Sequence, residues 1–199
     1  LPCSAVFEVN LRKNQGQLRI IGGQWKSRKL PILNSEGLRP TTDRVRETLF
    51  NWLQFDIAGA VAIDLFAGSG GLGFEAASRG ARQVVMVEKD HRVANQLQQN
   101  VALLGADNIT VLTTDALQLM QSPSSLPSQW DIVFVDPPFN LGLASQSLEQ
   151  LSQLPQLSPE TLVYLETEAT LTLPQLAQWH TLKEKRHGAV CFRLLQKKD

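Results

Sequence analysis

Through the middle of the chain, short runs of aliphatic and β-branched residues recur, and each meets an acid. They are Val61 to Phe66 with Asp64 inside, Val84 to Glu88, Ile109 to Asp115, and Val133-Phe134-Val135 before Asp136. Runs this short, bounded by turn residues, read as buried strands. Between them the apolar spacing changes to that of helices: Val93, Leu97, Val101 and Leu104 after Asp90, then Leu143 to Leu154. A fifth strand is expected at Thr161 to Leu165, and a terminal hairpin from Trp179 to Lys185 and Gly188 to Leu195. Strands alternating with helices predict an α/β fold with a parallel sheet covered on both faces. Upstream, Val45, Leu49, Trp52 and Leu53 form one stripe of a helix that Thr42 is placed to cap. Before it, Leu18 to Pro31 flanks a Gly-Gly pair with β-prone residues and reads as a small hairpin. Residues 1–16 show little periodicity and are expected to form a mobile tail. The expected organisation is that tail, an N-terminal extension over 17–57, and a ligand-binding domain over 58–199.

Composition changes little in this picture, but charge changes more. The 199 residues are 43% hydrophobic and 19% charged, as in ordinary globular chains. No apolar run is long enough for a membrane helix, and Leu1 to Asn10 lacks the pattern of a signal peptide. Cys3 and Cys191 build neither a disulfide framework nor a metal cluster, so a cytoplasmic protein without a metal is expected. The formal net charge of zero conceals an asymmetry. Residues 10–50 hold nine Lys/Arg against three Asp/Glu, while residues 51–160 hold four against eleven. A basic front on an acidic body suits a polyanion held by one face. Arg19, Trp25, Lys26, Arg28 and Lys29 in the hairpin, with Arg39, Arg44 and Arg46 around the helix, are the candidate nucleic-acid contacts. Basic residues interleaved with an aromatic suit single-stranded or looped nucleic acid.

The candidate chemistry lies at the strand ends. Gly68, Gly70 and Gly73 keep the G-x-G-x-x-G spacing between a strand and a helix, where a backbone approaches a nucleotide closely. Glu88, ending the second strand, is placed to accept ribose hydroxyls. Asp115 is placed to accept from an adenine amine and, compatibly, to cap the next helix. Acids at the ends of four successive strands disfavour a pyrophosphate and favour a cationic, donor-rich ligand. S-adenosylmethionine has that chemistry. After the fourth strand, Asp136-Pro137-Pro138-Phe139 sets a carboxylate and a ring on a stiff turn, which suits a planar base with an exocyclic amine.

Asp64 to Gly73 resembles the first motif of class I methyltransferases. Asp136 to Phe139 resembles the [DNS]-P-P-[FY] motif of those that methylate exocyclic amines. Arg19-Ile20-Ile21-Gly22-Gly23-Gln24-Trp25 and Arg39 to Leu53 resemble one bacterial family, RsmD, the small-subunit ribosomal RNA guanine-N2 methyltransferases. The resemblance spans about residues 17–195. It implies a Rossmann-like, mostly parallel seven-stranded sheet with an antiparallel C-terminal hairpin. It also implies S-adenosylmethionine held by Asp64, Phe66, Gly68, Ser69, Gly70, Gly73, Glu88 and Asp115. Asp136, Pro137, Pro138 and Phe139 would then grip and stack a flipped-out guanine of 16S ribosomal RNA, within the 30S subunit or a late assembly particle, the protein acting as a monomer. Three other readings stand beside it: an adenine-N6 methyltransferase, a dinucleotide-dependent oxidoreductase, and a non-catalytic assembly factor with the same fold.

Overall fold

The structure, a computed structural model, describes residues 15–33 and 41–198. Most of the expected tail, together with Arg39 and Cys3, lies outside these residues. The chain opens with an antiparallel pair, β1 (Gln15–Arg19) and β2 (Lys29–Leu33), in which Arg19 faces Lys29. Helix α1 (Asp43–Trp52) follows, capped by the Thr42 side chain, which accepts from the Val45 N–H. The body then alternates β3 (Val61–Asp64), α2 (Gly71–Ser78), β4 (Gln83–Glu88), α3 (His91–Leu104), β5 (Ile109–Thr113), α4 (Ala116–Gln121), β6 (Trp130–Val135) and α5 (Leu143–Gln153). It ends with β7 (Leu157–Glu168), β8 (Trp179–His187) and β9 (Val190–Lys197).

The seven strands of the body form one sheet in the order β5-β4-β3-β6-β7-β9-β8. The first five run parallel, and β9 is antiparallel to both neighbours. The expected terminal hairpin therefore exists, with its second strand inserted beside β7 and its first strand left at the edge. Strand β7 is much longer than expected. Pro159 reads as a break, but it falls where the ladder to β6 slips, from Trp130↔Leu157 to Ile132↔Leu162. Proline is tolerated at such irregularities. The Thr161 hydroxyl fills the gap by donating to the Trp130 carbonyl at 2.7 Å.

Side chains alternate between two cores. Ile63, Val133, Val163 and Leu195 pack on the side of α4 and α5. Ala62, Phe134, Tyr164 and Phe192 pack on the side of α1, α2 and α3. Under α1 a row of rings crosses the sheet: Phe50 to Phe134 at 6.0 Å, Phe134 to Tyr164 at 6.3 Å, Tyr164 to Phe192 at 6.4 Å, then back to Trp52 at 5.3 Å. These spacings suit offset and edge contacts. Helix α1 thereby lies across β6, β7 and β9, of which β6 leads into Asp136.

Helix α2 is buried on every side from Leu72 to Ser78, including Glu75 and Ser78. One flank lies on the sheet; the turn joining β1 and β2 covers another. In that turn the N–H groups of Ile21 and Gly22 donate to the two Glu75 oxygens at 2.9 and 2.8 Å. The N–H groups of Gln24 and Trp25 donate to the carbonyl and hydroxyl of Ser78. Gly23 makes this approach possible. Its φ is +75°, and a Cβ there would lie 1.8 Å from the Ser78 carbonyl oxygen.

Candidate active site

The parallel strands end at one edge, and there Asp64, Glu88, Asp115 and Asp136 line a single cavity of about 400 Å³. Phe66, Gly68, Ser69, Pro137, Pro138 and Phe139 line it as well. Gly70 and Gly73 do not form its wall. Gly70 begins α2 with φ of +83°. Gly73 lets the helix sit close to the sheet, since a Cβ there would meet Met86 Sδ at 2.5 Å.

Asp64 ends β3 with 1% of its surface exposed. Its Oδ2 accepts the Gly73 N–H at 3.1 Å, while Oδ1 has no hydrogen-bond partner among the described residues. Burial, then the nearby Asp136 charge, push its carboxyl up to about 7, against the pull of the Gly73 and Phe66 amides. Such a wall oxygen, dry and strained toward protonation, suits a cationic donor such as an ammonium. Glu88 is fixed at both ends: Oε2 accepts from Gly68 N–H at 3.0 Å and Oε1 from Asp90 N–H at 2.8 Å. Each carboxylate oxygen still has acceptor capacity for a hydroxyl. Asp115 caps α4 by accepting from Leu117 and Gln118 N–H at 2.9 and 3.1 Å, and it also faces the cavity. Both sequence readings of Asp115 are thus compatible with its place.

Asp136 follows the last residue of β6. Its Oδ2 accepts a 2.6 Å hydrogen bond from the Thr41 hydroxyl. Burial raises its carboxyl to about 6, and the Thr41 bond opposes the rise. After it Pro137 is buried, Pro138 is exposed and Phe139 is half-buried. The turn is held further by Asn140, with φ of +62°, whose N–H donates to Glu168 Oε1 at 2.5 Å. A second cavity of about 300 Å³ adjoins the first across this turn.

Among the wall residues that the sequence reading did not assign to the site are Thr41, Glu166 and His187. Glu166 carried a signal, being an acid directly after the expected fifth strand. It accepts the Tyr164 hydroxyl at 2.8 Å. Nothing in the sequence marks Thr41, 95 positions from Asp136, or His187 at the end of β8.

Among the candidate RNA contacts, Arg19, Lys26, Arg28, Lys29 and Arg44 are exposed. Arg19 pairs with Asp43 at 2.9 Å, and Arg28 donates to the Leu103 carbonyl at 3.2 Å. Trp25 is half-buried and packs against the core under the hairpin. Arg46 requires correction. Only 1% of its surface is exposed, and its guanidinium is spent on Asp43 at 2.6 Å, Glu75 at 3.5 Å and the Arg19 carbonyl at 2.9 Å. It ties α1 to α2 and does not present itself to a polyanion.

The family model described as conserved hypothetical protein 95 matches residues 18–196. A curated Haemophilus influenzae protein named ribosomal RNA small subunit methyltransferase D is 47% identical over 184 residues, covering 92% of this chain and 95% of that protein. The chain belongs to the RsmD family. A solved Escherichia coli structure described as a methyltransferase superposes on this RsmD-family chain with a TM-score of 0.80 at 44% identity, covering 92% of this chain and 99% of that one. The fold extends to more distant methyltransferases. One, solved with S-adenosylhomocysteine, has a TM-score of 0.69 at 16% identity and covers 92% of this chain and 56% of its own. The architecture is that of the class I methyltransferases.

Proposed function

We propose that this chain methylates the N2 amine of a guanine in 16S ribosomal RNA, using S-adenosylmethionine. The observation that carries the reading is Asp136, held on the Pro-Pro turn at the rim of the cavity whose other carboxylates suit a sulfonium nucleoside. In this reading Asp64 meets the amino-acid ammonium, Glu88 the ribose and Asp115 the adenine amine, with Phe66, Gly68 and Ser69 lining the same space. The cofactor supplies an electrophilic methyl group.

The protein's own part is to hold the amine. Guanine N2 is a poor nucleophile because its lone pair is delocalised into the ring. Asp136 and the Pro137 carbonyl accept its two N–H groups in tetrahedral directions, which takes the lone pair out of conjugation with the ring and localises it toward the methyl group. Phe139 stacks on a base that has left its neighbours. As positive charge develops on N2, the Asp136 carboxylate offsets it from a site with little water. A carboxyl near 6 is charged at neutral pH and basic enough to take the proton that the methylated amine releases. Alignment of the reacting atoms supplies much of the remaining acceleration, up to roughly 7–11 kcal/mol in well-oriented reactions.

The exposed cations of the N-terminal extension face the ribosomal RNA in this reading, and the protein acts as a cytoplasmic monomer on the 30S subunit or a late precursor. The deciding experiment uses 30S subunits from a strain lacking the enzyme, labelled S-adenosylmethionine and nucleoside mass spectrometry. N2-methylguanosine at one position is the expected product. Methyladenosine, or no incorporation into either subunits or free 16S RNA, overturns the reading.

A further inference from the structure

Strand β8 forms one margin of the sheet, and its ladder runs to β9 alone. Every residue from His180 to His187 is exposed. Its register with β9 sorts these residues by face. Lys183, Lys185 and His187 oppose Leu194, Phe192 and Val190. Phe192 and Leu194 belong to the core under α1, so the three side chains stand on the α1 side of the sheet, beyond the helix's cover. The strand's one acid, Glu184, opposes Arg193 on the other side and is held by it at 2.7 Å. Lys183, Lys185 and His187 therefore present two ammonium groups and an imidazole with no acid from their own strand between them. Alternate residues of a strand lie about 7 Å apart.

The row also has a direction. β7 runs parallel to β6, β9 opposes β7, and β8 opposes β9. The carboxyl end of β8 consequently lies at the same sheet edge as Asp136, and His187 is part of the cavity wall. A cationic track starts at the cavity mouth and runs down the margin of an otherwise acidic body. Lysines on an edge strand also prevent sheets from pairing. That role requires charge of either sign and no continuity with a cavity.

We propose that Lys183, Lys185 and His187 form a phosphate-binding track that holds the RNA strand entering the cavity. This rests on the ribosomal RNA reading above and adds a contact surface on the same face of the sheet as the N-terminal hairpin, at the β8 margin. The two lysines hold backbone phosphates, and His187 contacts the nucleotide nearest the turn.

The test compares wild type with K183E/K185E and K183Q/K185Q, using 30S subunits and free 16S RNA. Binding is measured across a salt series, with KM, kcat and S-adenosylmethionine affinity alongside. K183E/K185E keeps a charged edge, so it stays monomeric in light scattering. It is expected to raise Kd and KM for RNA by about tenfold or more, with kcat and cofactor affinity unchanged. For the Gln pair, the slope of log K against log salt should become shallower by about 1–2 for two lost phosphate contacts. Unchanged RNA affinity and slope in both variants overturn the track. Self-association of the Gln pair with full RNA affinity assigns the lysines to edge protection alone. A wild-type enzyme that transfers no methyl group to ribosomal RNA instead overturns the function on which the track rests.

Discussion

Thr41 donates its hydroxyl to Asp136 across 2.6 Å, joining the segment before α1 to the turn after β6. The N-terminal extension thus reaches the edge of the sheet that carries the cavity. The bond favours the charged carboxylate, against the burial that raises it to about 6. Thr41→Val should move the acidic limb of the kcat/KM profile to higher pH, because the carboxyl loses its donor. Activity at pH 6 should fall severalfold, and Thr41→Ser should restore it. An acidic limb that stays put in the valine variant removes Thr41 from this role.

Asp136→Ala should lower kcat by roughly 10²–10⁴-fold, the usual effect of a group that acts on a transferred proton and its charge. Cofactor affinity by calorimetry should change little, since Asp64, Glu88 and Asp115 remain. Wild-type turnover in this variant would place the amine elsewhere.

Asp64 and Asp136 carry raised values of about 7 and about 6, against an ordinary 3.8. Between these limits the folded chain holds protons that the unfolded chain has released. Its stability without cofactor should therefore fall as pH rises from about 4 to about 7. Melting curves across that range should show the decline, and Asp64→Asn should flatten its upper part. A melting temperature that rises steadily through the window would contradict the raised values.

Glu75 has no exposed surface and receives Ile21 N–H, Gly22 N–H, Arg46 and Arg79. Glu75→Ala leaves the buried Arg46 charge with a weakened partnership and two amides without acceptors. Breaking a buried pair in this way costs about 3–5 kcal/mol. Urea denaturation should register a loss of that order, whereas a loss below about 1 kcal/mol would show that the network contributes little.

Replacing Lys26, Arg28 and Lys29 by Gln should weaken RNA binding and make its salt dependence shallower. All three are exposed on the hairpin. A salt slope equal to wild type would exclude that hairpin from the RNA face.

The sheet and its acidic rim were legible because strand, glycine turn and helix leave local marks. Asp64, Glu88 and Asp136 follow apolar runs directly, Asp115 follows one after two threonines, and all four line one cavity. What covers a helix leaves no such mark. Arg46 lies off the apolar stripe of α1, and its spacing alone suggests solvent. Only the docking of the β1–β2 turn on Glu75 shows it to be buried. Thr41 is likewise set by tertiary packing across 95 positions. Pro159 hid only the early start of β7, where it is tolerated because the ladder slips beside it; Glu166, next after the expected strand, was within reach of the same rule.

The seam between the hairpin and α2 has a practical corollary for dissecting this molecule. Gly22, Gln24 and Trp25 complete the bonding of Glu75 and Ser78 from outside the glycine-turn helix. A fragment beginning at residue 58 would keep every acid of the cavity wall yet strip the lining from that helix, and it should be recovered as aggregate. The first two strands are better regarded as one wall of the glycine-turn half than as an appendage bolted onto it.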